Sequence, residues 1–202
     1  MSLLADHPQR NVIRLELRQN VVLQDLAEAH RAELESHLTI VECRKGDVLL
    51  EQGVREMGQY FILSGILKRV VTNPEGKEMI LRFAGPRDME TSYAAWRLGT
   101  PTPYGILCVS PGVVARLTMT EWVGFLDRHA EAKAAFELAV MRLMSEIMAH
   151  TITLHLLDAP GRVHRFWRKH PELATVLPQK QLASHLNLSA ETLSRLRRSG
   201  KI

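Results

Sequence analysis

The sequence predicts an α+β protein that combines an N-terminal antiparallel β-roll of the jelly-roll type, a long helix and a C-terminal helix-turn-helix. Short strand-like runs separated by Gly, Pro and Asn turns fill most of residues 1–119. Residues 130–157 contain neither Gly nor Pro and repeat apolar residues at helical spacing. Residues 179–198 have the pattern of two short helices joined by a tight turn. We therefore expect domains at residues 1–119, 120–158 and 159–202.

The N-terminal part is predicted to place a helix at residues 23–38 ahead of seven short strands. The strands are predicted at residues 40–43, 48–51, 59–64, 66–72, 77–83, 105–108 and 113–117. Strands this short and this regularly spaced are typical of an antiparallel roll or sandwich. A short helix at residues 121–128 is expected to follow the last strand.

Seven residues of the long helix repeat at alternating intervals of four and three, which is the heptad spacing of a coiled coil. They are Phe136, Val140, Leu143, Ile147, His150, Leu154 and Leu157. Val140 and Ile147 are β-branched at the a positions, which favours a parallel coiled coil of two helices. We therefore expect a homodimer with this seam as its interface. The alternative is that the stripe is an ordinary core face buried within one subunit.

The same helix carries a second apolar stripe, which we expect to face the β-roll of its own subunit. It comprises Met141, Met144, Met148, Ile152 and His155. Two apolar stripes on one helix are hard to bury in a chain of 202 residues without a partner, which favours the dimer. His150 would meet its symmetry mate at a d position, so its protonation at low pH is predicted to weaken the dimer.

The C-terminal pair of helices has the residues that a helix-turn-helix requires. Its apolar contacts are Leu182, Leu186, Leu188, Leu193 and Leu196. Ala183 is the small residue at the helix crossing, and Asn187 tolerates the left-handed backbone of the turn. The hydroxyl of Ser189 is expected to cap the second helix by accepting from the backbone N–H of Glu191 or Thr192. Ordinary solvated surface helices are the alternative interpretation.

Positive charge is concentrated in the C-terminal part of the chain. Residues 159–202 hold nine Lys and Arg against Glu172 and Glu191, a local charge of +7 that leaves −3 for the rest of the +4 total. A basic segment on a mildly acidic body is typical of contact with phosphates, and such binding weakens steeply with salt. The charge distribution therefore indicates double-stranded DNA as a partner.

The turns of the predicted roll carry the residues of a known family. These are Lys45-Gly46-Asp47, Glu51-Gln52-Gly53, the run from Tyr60 to Gly65, and Gly76-Lys77-Glu78. They resemble the cyclic-nucleotide-binding β-roll of the Crp/Fnr family of bacterial transcription factors, named after the cAMP receptor protein and the fumarate/nitrate regulator. The order of roll, long helix and helix-turn-helix extends the resemblance over nearly the whole chain. Shorter members without a β-hairpin wing have similar P-Q-K-x-x-A-S-x-L and T-L-S-R-x-R signatures.

The resemblance implies a homodimeric transcriptional regulator of the cytoplasm that binds an inverted-repeat operator, with RNA polymerase as a further possible partner. In the family, the second helix reads bases at positions that correspond to Ala190, Glu191 and Arg195. The expected DNA-binding residues are Gln179, Lys180, Ser189, Ala190, Glu191, Thr192, Ser194, Arg195, Arg197 and Arg198. An alternative function is a small-molecule-binding or protein-interaction module of the same fold with little DNA binding.

The family's ligand cassette is altered in this sequence. The family holds a cyclic nucleotide with Gly-Glu and, about a dozen residues later, an Arg on the phosphate. Here Thr91-Ser92 and Pro103 stand at those places, so we do not expect a response to cAMP. An unidentified small molecule, or none, is expected in a pocket formed by Asp88, Glu90, Thr91, Ser92, Tyr93, Arg97, Pro103 and Tyr104. Arg97 and Glu90 are the nearest replacements for the missing charged groups.

Other classes of protein are not indicated. No nucleophile–base pattern, Walker loop or metal-ligand spacing occurs, so no enzyme, metal site or cofactor is expected. Cys43 and Cys108 lie far apart in sequence, and each is expected to be a buried reduced thiol. The N-terminal residues break their apolar run with Asp, His, Pro and Arg, so neither a signal peptide nor a membrane anchor is predicted.

Overall fold

A computed structural model describes residues 2–202 of the chain. The chain forms two compact units. The first contains the chain up to Arg69 together with Phe83–Arg142, and the second contains Val70–Arg82 together with Leu143–Ile202. A segment of the β-roll is therefore grouped with the C-terminal helices.

The strands form two antiparallel sheets. They are β1 Ser2–Leu3, β2 Thr39–Cys43, β3 Val48–Leu50, β4 Gly58–Ser64, β5 Leu67–Thr72, β6 Glu78–Ala84, β7 Met89–Thr91, β8 Gly105–Cys108 and β9 Gly112–Thr118. One sheet has the order β1-β2-β9-β4-β7 and the other the order β3-β8-β5-β6. All seven predicted strands are confirmed, each to within one residue at either end. The short strands β1 and β7 were not predicted.

Nine α-helices are found in residues 2–202, together with a 3₁₀ turn at Leu4–Asp6. They are α1 Arg10–Leu17, α2 Glu28–His37, α3 Tyr93–Arg97, α4 Met119–Arg128, α5 Ala130–Leu156, α6 Ala159–Lys169, α7 Pro171–Val176, α8 Gln179–His185 and α9 Ala190–Arg198. The helix predicted at residues 23–38 was too long at its start. The Asn20 side chain accepts from Val22 N at 3.0 Å, and residues 21–25 form turns, so α2 begins only at Glu28.

The segment between the long helix and the helix-turn-helix is also helical. Helix α6 begins at Ala159, and α7 occupies Pro171–Val176. Asp158 caps α6 by accepting from Gly161 N at 2.9 Å, and a proline stands in the first turn of each helix. Proline is favoured there because the missing N–H would have no helical partner.

The core of the first unit is an aromatic junction between β4, α4 and the start of α5. Phe61, Trp122 and Phe136 are completely buried. The Trp122 ring meets Phe61 edge-on at 5.3 Å and Phe136 edge-on at 5.2 Å between centroids. Thr118 accepts from Glu121 N at 3.2 Å while the Glu121 carboxylate accepts from Thr118 N at 2.9 Å, and this capping box fixes the start of α4. The junction thereby anchors the first turns of α5.

Within residues 2–202, no helix combines the length and the apolar character needed to cross a bilayer.

Candidate nucleic-acid interface and effector pocket

Helices α8 and α9 form the predicted helix-turn-helix. Leu182, Leu186, Leu193 and Leu196 are buried between its helices, and Leu188 is half-buried. Ala183 is 2% exposed at the crossing. Asn187 has φ of 51°, the left-handed conformation that the turn requires. The motif therefore has the geometry that its leucine spacing predicts.

Ser189 sets the start of the recognition helix α9. Its hydroxyl accepts from Thr192 N at 3.0 Å, so the helix begins at Ala190. Eight of the ten predicted DNA-binding residues are exposed, and Thr192 and Ser194 are half-buried. Among residues 2–202, no carboxylate forms an ion pair with Arg195, Arg197 or Arg198. The arginine face of α9 is thus open to an anionic ligand.

Helix α6 supports this motif from behind. Val163 and Phe166 are buried, while Arg162 donates from Nη1 to Leu186 O at 3.2 Å and from Nε to Leu157 O at 2.9 Å. The two hydrogen bonds of Arg162 connect the turn of the motif to the residue that follows α5. Because Arg162 reaches both carbonyls, α8 and α9 are held on a defined scaffold.

The C-terminal end of α8 is bound to the segment of β6 in the same unit. Ser184 Oγ donates to Glu78 O at 2.9 Å, and His185 Nδ1 lies 2.9 Å from Ile80 O. His150 on α5 stacks on His185 with ring centroids 3.9 Å apart and an interplanar angle of 1°. His150 Nε2 also lies 2.9 Å from His185 O. Both imidazoles therefore act as neutral donors to backbone carbonyls.

Burial keeps this histidine pair neutral. Desolvation, followed by the repulsion of His150, lowers the pKa of His185 to about 3. Burial also lowers the pKa of His150. The prediction that His150 meets its symmetry mate is wrong, because its ring is stacked on a histidine of its own chain.

The two apolar stripes of α5 face the opposite way from the prediction. Of the predicted dimer seam, Phe136 and Leu143 are buried in their own chain, His150 is stacked on His185, and Val140, Ile147 and Leu154 are half-buried. Only Leu157, at the end of the helix, is exposed. The stripe expected to face the roll is instead open, with Met141 61%, Met144 49%, Met148 64% and Ile152 50% exposed. The predicted seam is thus mostly an intrachain contact, because Phe136 fits the aromatic junction.

The altered ligand cassette is built by β7 and α3, and its interior contains an ion pair. Glu90 is completely buried and Arg69 on β5 is 2% exposed. Arg69 Nε donates to the Glu90 carboxylate at 2.9 Å, and Arg69 Nη2 donates both to that carboxylate and to Thr91 O, the latter at 3.1 Å. Arg69 was not among the predicted pocket residues. The available signal was an arginine at an inward position of the strand, between Leu67 and Val71.

Tyr104 covers the guanidinium of Arg69. The ring centroid lies 4.2 Å from Arg69 Cζ, and the phenol donates to Thr91 O at 2.8 Å. Burial raises the pKa of Tyr104, so the phenol keeps its proton and donates. The cation inside the roll is therefore satisfied by a carboxylate, a carbonyl and an aromatic face.

The remaining predicted pocket residues are dispersed. Ser92 is buried at the start of α3, and the Asp88 carboxylate accepts from Met89 N at 2.7 Å in the preceding turn. Tyr93 turns toward Phe136, with centroids 5.1 Å apart. Arg97 and Pro103 are exposed. The structure therefore brings Glu90, Thr91 and Tyr104 of the predicted set to the ion pair.

Known proteins share this architecture. Residues 40–129 match the family model described as the cyclic nucleotide-binding domain. Similar structures include FixK2 from Bradyrhizobium japonicum, with 16% identity over 81% of this chain and 86% of that chain and a TM-score of 0.69. A putative transcriptional regulator of the Crp/Fnr family from Eubacterium rectale has 16% identity over 90% of this chain and 87% of that chain, with a TM-score of 0.73. The chain has the Crp/Fnr fold.

The global regulator CLP from Xanthomonas campestris also has this Crp/Fnr fold, with 12% identity over 86% of this chain and 92% of that chain and a TM-score of 0.70. No curated protein sequence matches the chain. At these identities the comparisons concern the fold, so the roles of individual residues depend on the geometry given above.

Breaking the Arg69–Glu90 pair on one side is expected to destabilise the Crp/Fnr-fold roll strongly. The variant Arg69→Met leaves a buried carboxylate without its counterion, which should lower the free energy of unfolding by about 3–5 kcal/mol. The double variant Arg69→Met/Glu90→Leu removes both charges and should recover most of that loss. Urea denaturation followed by circular dichroism measures both values.

The matched control for this prediction is Arg18→Met, which removes an exposed pair to Glu28 at 2.7 Å. It should cost no more than about 1 kcal/mol. Equal losses in Arg69→Met and in the double variant would show that side-chain volume, rather than an unpaired charge, determines the stability of the roll.

The stacked histidines make the second unit sensitive to acid. The pKa of His185 is about 3 in the folded chain and about 6.5 in an unfolded one, so the unfolded chain binds more protons between these values. The contribution of neutral His185 to the free energy of unfolding should therefore be fully present above about pH 6.5. It should be lost progressively as the pH decreases toward 3. The variant His185→Asn, which keeps a nearby N–H donor but does not titrate, should reduce that slope by up to about 1.4 kcal/mol per pH unit. Parallel pH slopes in denaturant titrations of the two proteins would contradict this assignment.

Proposed function

We propose that the protein is a homodimeric, DNA-binding transcriptional regulator that acts on an inverted-repeat operator. The observation that carries the proposal is the arginine face of α9. The Ser189 cap and the buried leucines fix this helix in place, and no carboxylate within residues 2–202 forms an ion pair with its arginines. A rigid helix with open guanidinium groups fits the DNA major groove, which admits one α-helix.

The roles of individual residues follow from base chemistry. Glu191 accepts from a cytosine amino group, and Arg195 donates in bidentate fashion to guanine O6 and N7. Ala190 contacts a thymine methyl group. Gln179, Lys180, Ser194 and Arg197 bind phosphates and set the register of the protein on the duplex, as suits exposed or half-buried polar groups around the recognition helix.

A second copy of the chain is the proposed occupant of the open stripe on α5. Met141, Met144, Met148 and Ile152 recur at intervals of three and four on a 27-residue helix, and a stripe with that period pairs with a copy of itself about a two-fold axis. The two recognition helices then address two half-sites about one helical turn apart. This interface replaces the seam that the sequence predicted.

The proposed regulator does not use a cyclic nucleotide as its effector. A cyclic phosphate needs an available cation, and Arg69, the arginine inside the altered cassette, already binds Glu90 and Thr91. Arg97, which the sequence offered as a replacement, is exposed rather than buried beside the ion pair. Isothermal titration with cAMP should show no binding heat, whereas saturable binding would require Arg69 to exchange its carboxylate for phosphate.

The alternative function, an interaction module with a vestigial tail, is not favoured, because the helix-turn-helix keeps its cap, its turn and its basic face. The proposed role is that of a regulator rather than an enzyme, and contact with RNA polymerase remains a prediction that follows from it.

Arg195→Ala is expected to relax sequence discrimination at one base pair in each half-site by about 1–3 kcal/mol, because the bidentate contact with guanine is lost. The matched control is Arg197→Ala on the same helix. It should weaken binding to all duplexes alike and reduce the salt slope by about one unit. Fluorescence anisotropy measures both effects. The probes are operators obtained by in vitro selection and variants of these operators with single base-pair substitutions. A uniform loss of affinity in Arg195→Ala would exclude its base-reading role.

Met148→Lys is expected to weaken the dimer at least about tenfold, since the two-fold axis brings two added charges together in an apolar interface. Met148→Leu conserves volume and hydrophobicity and should leave dimerisation intact. Sedimentation equilibrium gives the dissociation constants. If the wild-type protein and Met148→Lys dimerise equally well, the interface lies on another surface.

A further inference from the structure

One guanidinium group joins the ends of two helices in the second unit. Arg162, in the first turn of α6, donates from Nε to Leu157 O at 2.9 Å and from Nη1 to Leu186 O at 3.2 Å. Leu157 directly follows α5, and Leu186 is the C-terminal cap of α8. The last carbonyls of a helix have no partner within the helix, and an arginine side chain can satisfy them. Arg162 therefore sets the distance between the end of α5 and the turn of the helix-turn-helix.

Both carbonyls belong to residues that are themselves held by helical hydrogen bonds. Leu157 N donates to Thr153 O at 3.1 Å, and Leu186 N donates to Leu182 O at 3.0 Å. The two residues that Arg162 binds thus continue the backbone of their helices. The guanidinium group therefore connects two helices rather than two loops.

The corner between α5 and α6 leaves little freedom for the backbone of Arg162. The Asp158 carboxylate accepts from Gly161 N at 2.9 Å, and Arg162 N donates to Asp158 O at 3.0 Å. A Cβ atom added to Gly161 would lie 2.8 Å from that carboxylate and 3.4 Å from Leu157 Cβ, so the corner is closely packed. The N–H groups of a guanidinium also point in fixed directions, whereas a lysine ammonium is a point charge on a flexible stem. An arginine at this position therefore makes the joint between α5 and α8 rigid.

The joint lies close to the proposed dimer contact. Ile152, the last exposed aliphatic residue of the open stripe, precedes Leu157 by five residues, which is about 7.5 Å along the helix axis. In a dimer formed through the stripe, the separation of the two recognition helices then depends on the joint in each subunit. With rigid joints, both recognition helices can bind at once only when the half-sites have the matching spacing.

We propose that Arg162 is a positioning residue that selects the spacing between the two half-sites of the operator. This role rests on the proposed function, since it requires a dimer that binds DNA. Arg162 is half-buried and binds two carbonyls of its own chain, so it acts through the angle between α5 and the helix-turn-helix. Arg195, by contrast, acts on the base sequence within each half-site.

The test compares the affinity of the full-length chain for the selected operator with its affinity for operators whose half-sites are two base pairs closer or farther apart. Two base pairs rotate one half-site by about 70° and shift it by about 7 Å. The wild-type protein should bind the altered spacings at least about tenfold more weakly, whereas Arg162→Gln should bind them less than about threefold more weakly than its best spacing. Fluorescence anisotropy gives these ratios. The ratio is the readout because a loss of stability or of charge lowers the affinity for every spacing alike.

The matched control is Arg165→Gln, which removes an exposed positive charge from the same helix and should keep the wild-type ratio. Arg162→Lys keeps the charge but lacks the guanidinium geometry, so its ratio should resemble that of Arg162→Gln. Circular dichroism checks that each variant is folded.

The wild-type protein alone can overturn the proposal, by binding all three spacings equally well. A wild-type ratio in both Arg162 variants, or loss of the ratio in Arg165→Gln, would also overturn it. Unfolding of both Arg162 variants would do the same, because the residue would then be required for stability rather than for spacing. Failure of the proposed function gives a different result, since the wild-type protein would then select no operator at all.

Discussion

The packing of Phe136 against Trp122 is the interaction on which the arrangement of the rest depends. Helix α5 is apolar on two sides, and the edge-on contact at 5.2 Å between these rings fixes which side turns inward. Phe61 on β4 closes the same junction from the sheet. Within the first unit, that rotation buries Phe136 and leaves Met141 exposed on the outer side of the helix. The start of the proposed dimer face is therefore a consequence of this aromatic contact.

The interior of the roll shows how a fold can keep a cassette while its chemistry changes. The turn, the short strand and the short helix that resemble the family's cassette are present as β7 and α3. The charges inside are supplied by the chain itself, since Arg69 and Glu90 neutralise each other under the Tyr104 ring. A buried pair of this kind contributes little net stability compared with an apolar pair, but removal of one partner is costly. The pair therefore resists loss of either member, since each charge is satisfied by the other.

Much of the fold could be predicted because local signals agree with the tertiary structure. The strands are bounded by Gly, Pro and Asn turns, and Ser189 and Asn187 specify the helix-turn-helix with local hydrogen bonding and backbone conformation. The faces of α5 could not be assigned, because both stripes have the same period and only the shape of the core distinguishes them. Arg69 was missed because its partner, Glu90, lies on a strand too short to be recognised.

Contacts between distant parts of the chain were also beyond the sequence. Cys43 and Cys108 belong to one buried cluster because the turn after β2 pairs with Cys108 on β8, which the spacing of cysteines does not reveal. Likewise, Pro171 is typical of a residue that ends a helix, and it does follow α6, but it also begins α7, since proline is compatible with a first helical turn. In both cases the local sequence pattern was interpreted correctly, but the tertiary contact or the second helix that it leads to could not be derived from it.

The hydrogen bonds from Ser184 and His185 to β6 have a consequence for self-association. Strand β6 is at the border of its four-stranded sheet, where backbone carbonyls commonly recruit foreign strands. The carbonyls of Glu78 and Ile80 point the same way, two residues apart, and each accepts from α8. A helix thus shields this margin from fibril-like pairing, and it binds main-chain carbonyls of β6, so the shielding does not depend directly on which side chains stand at positions 78 and 80.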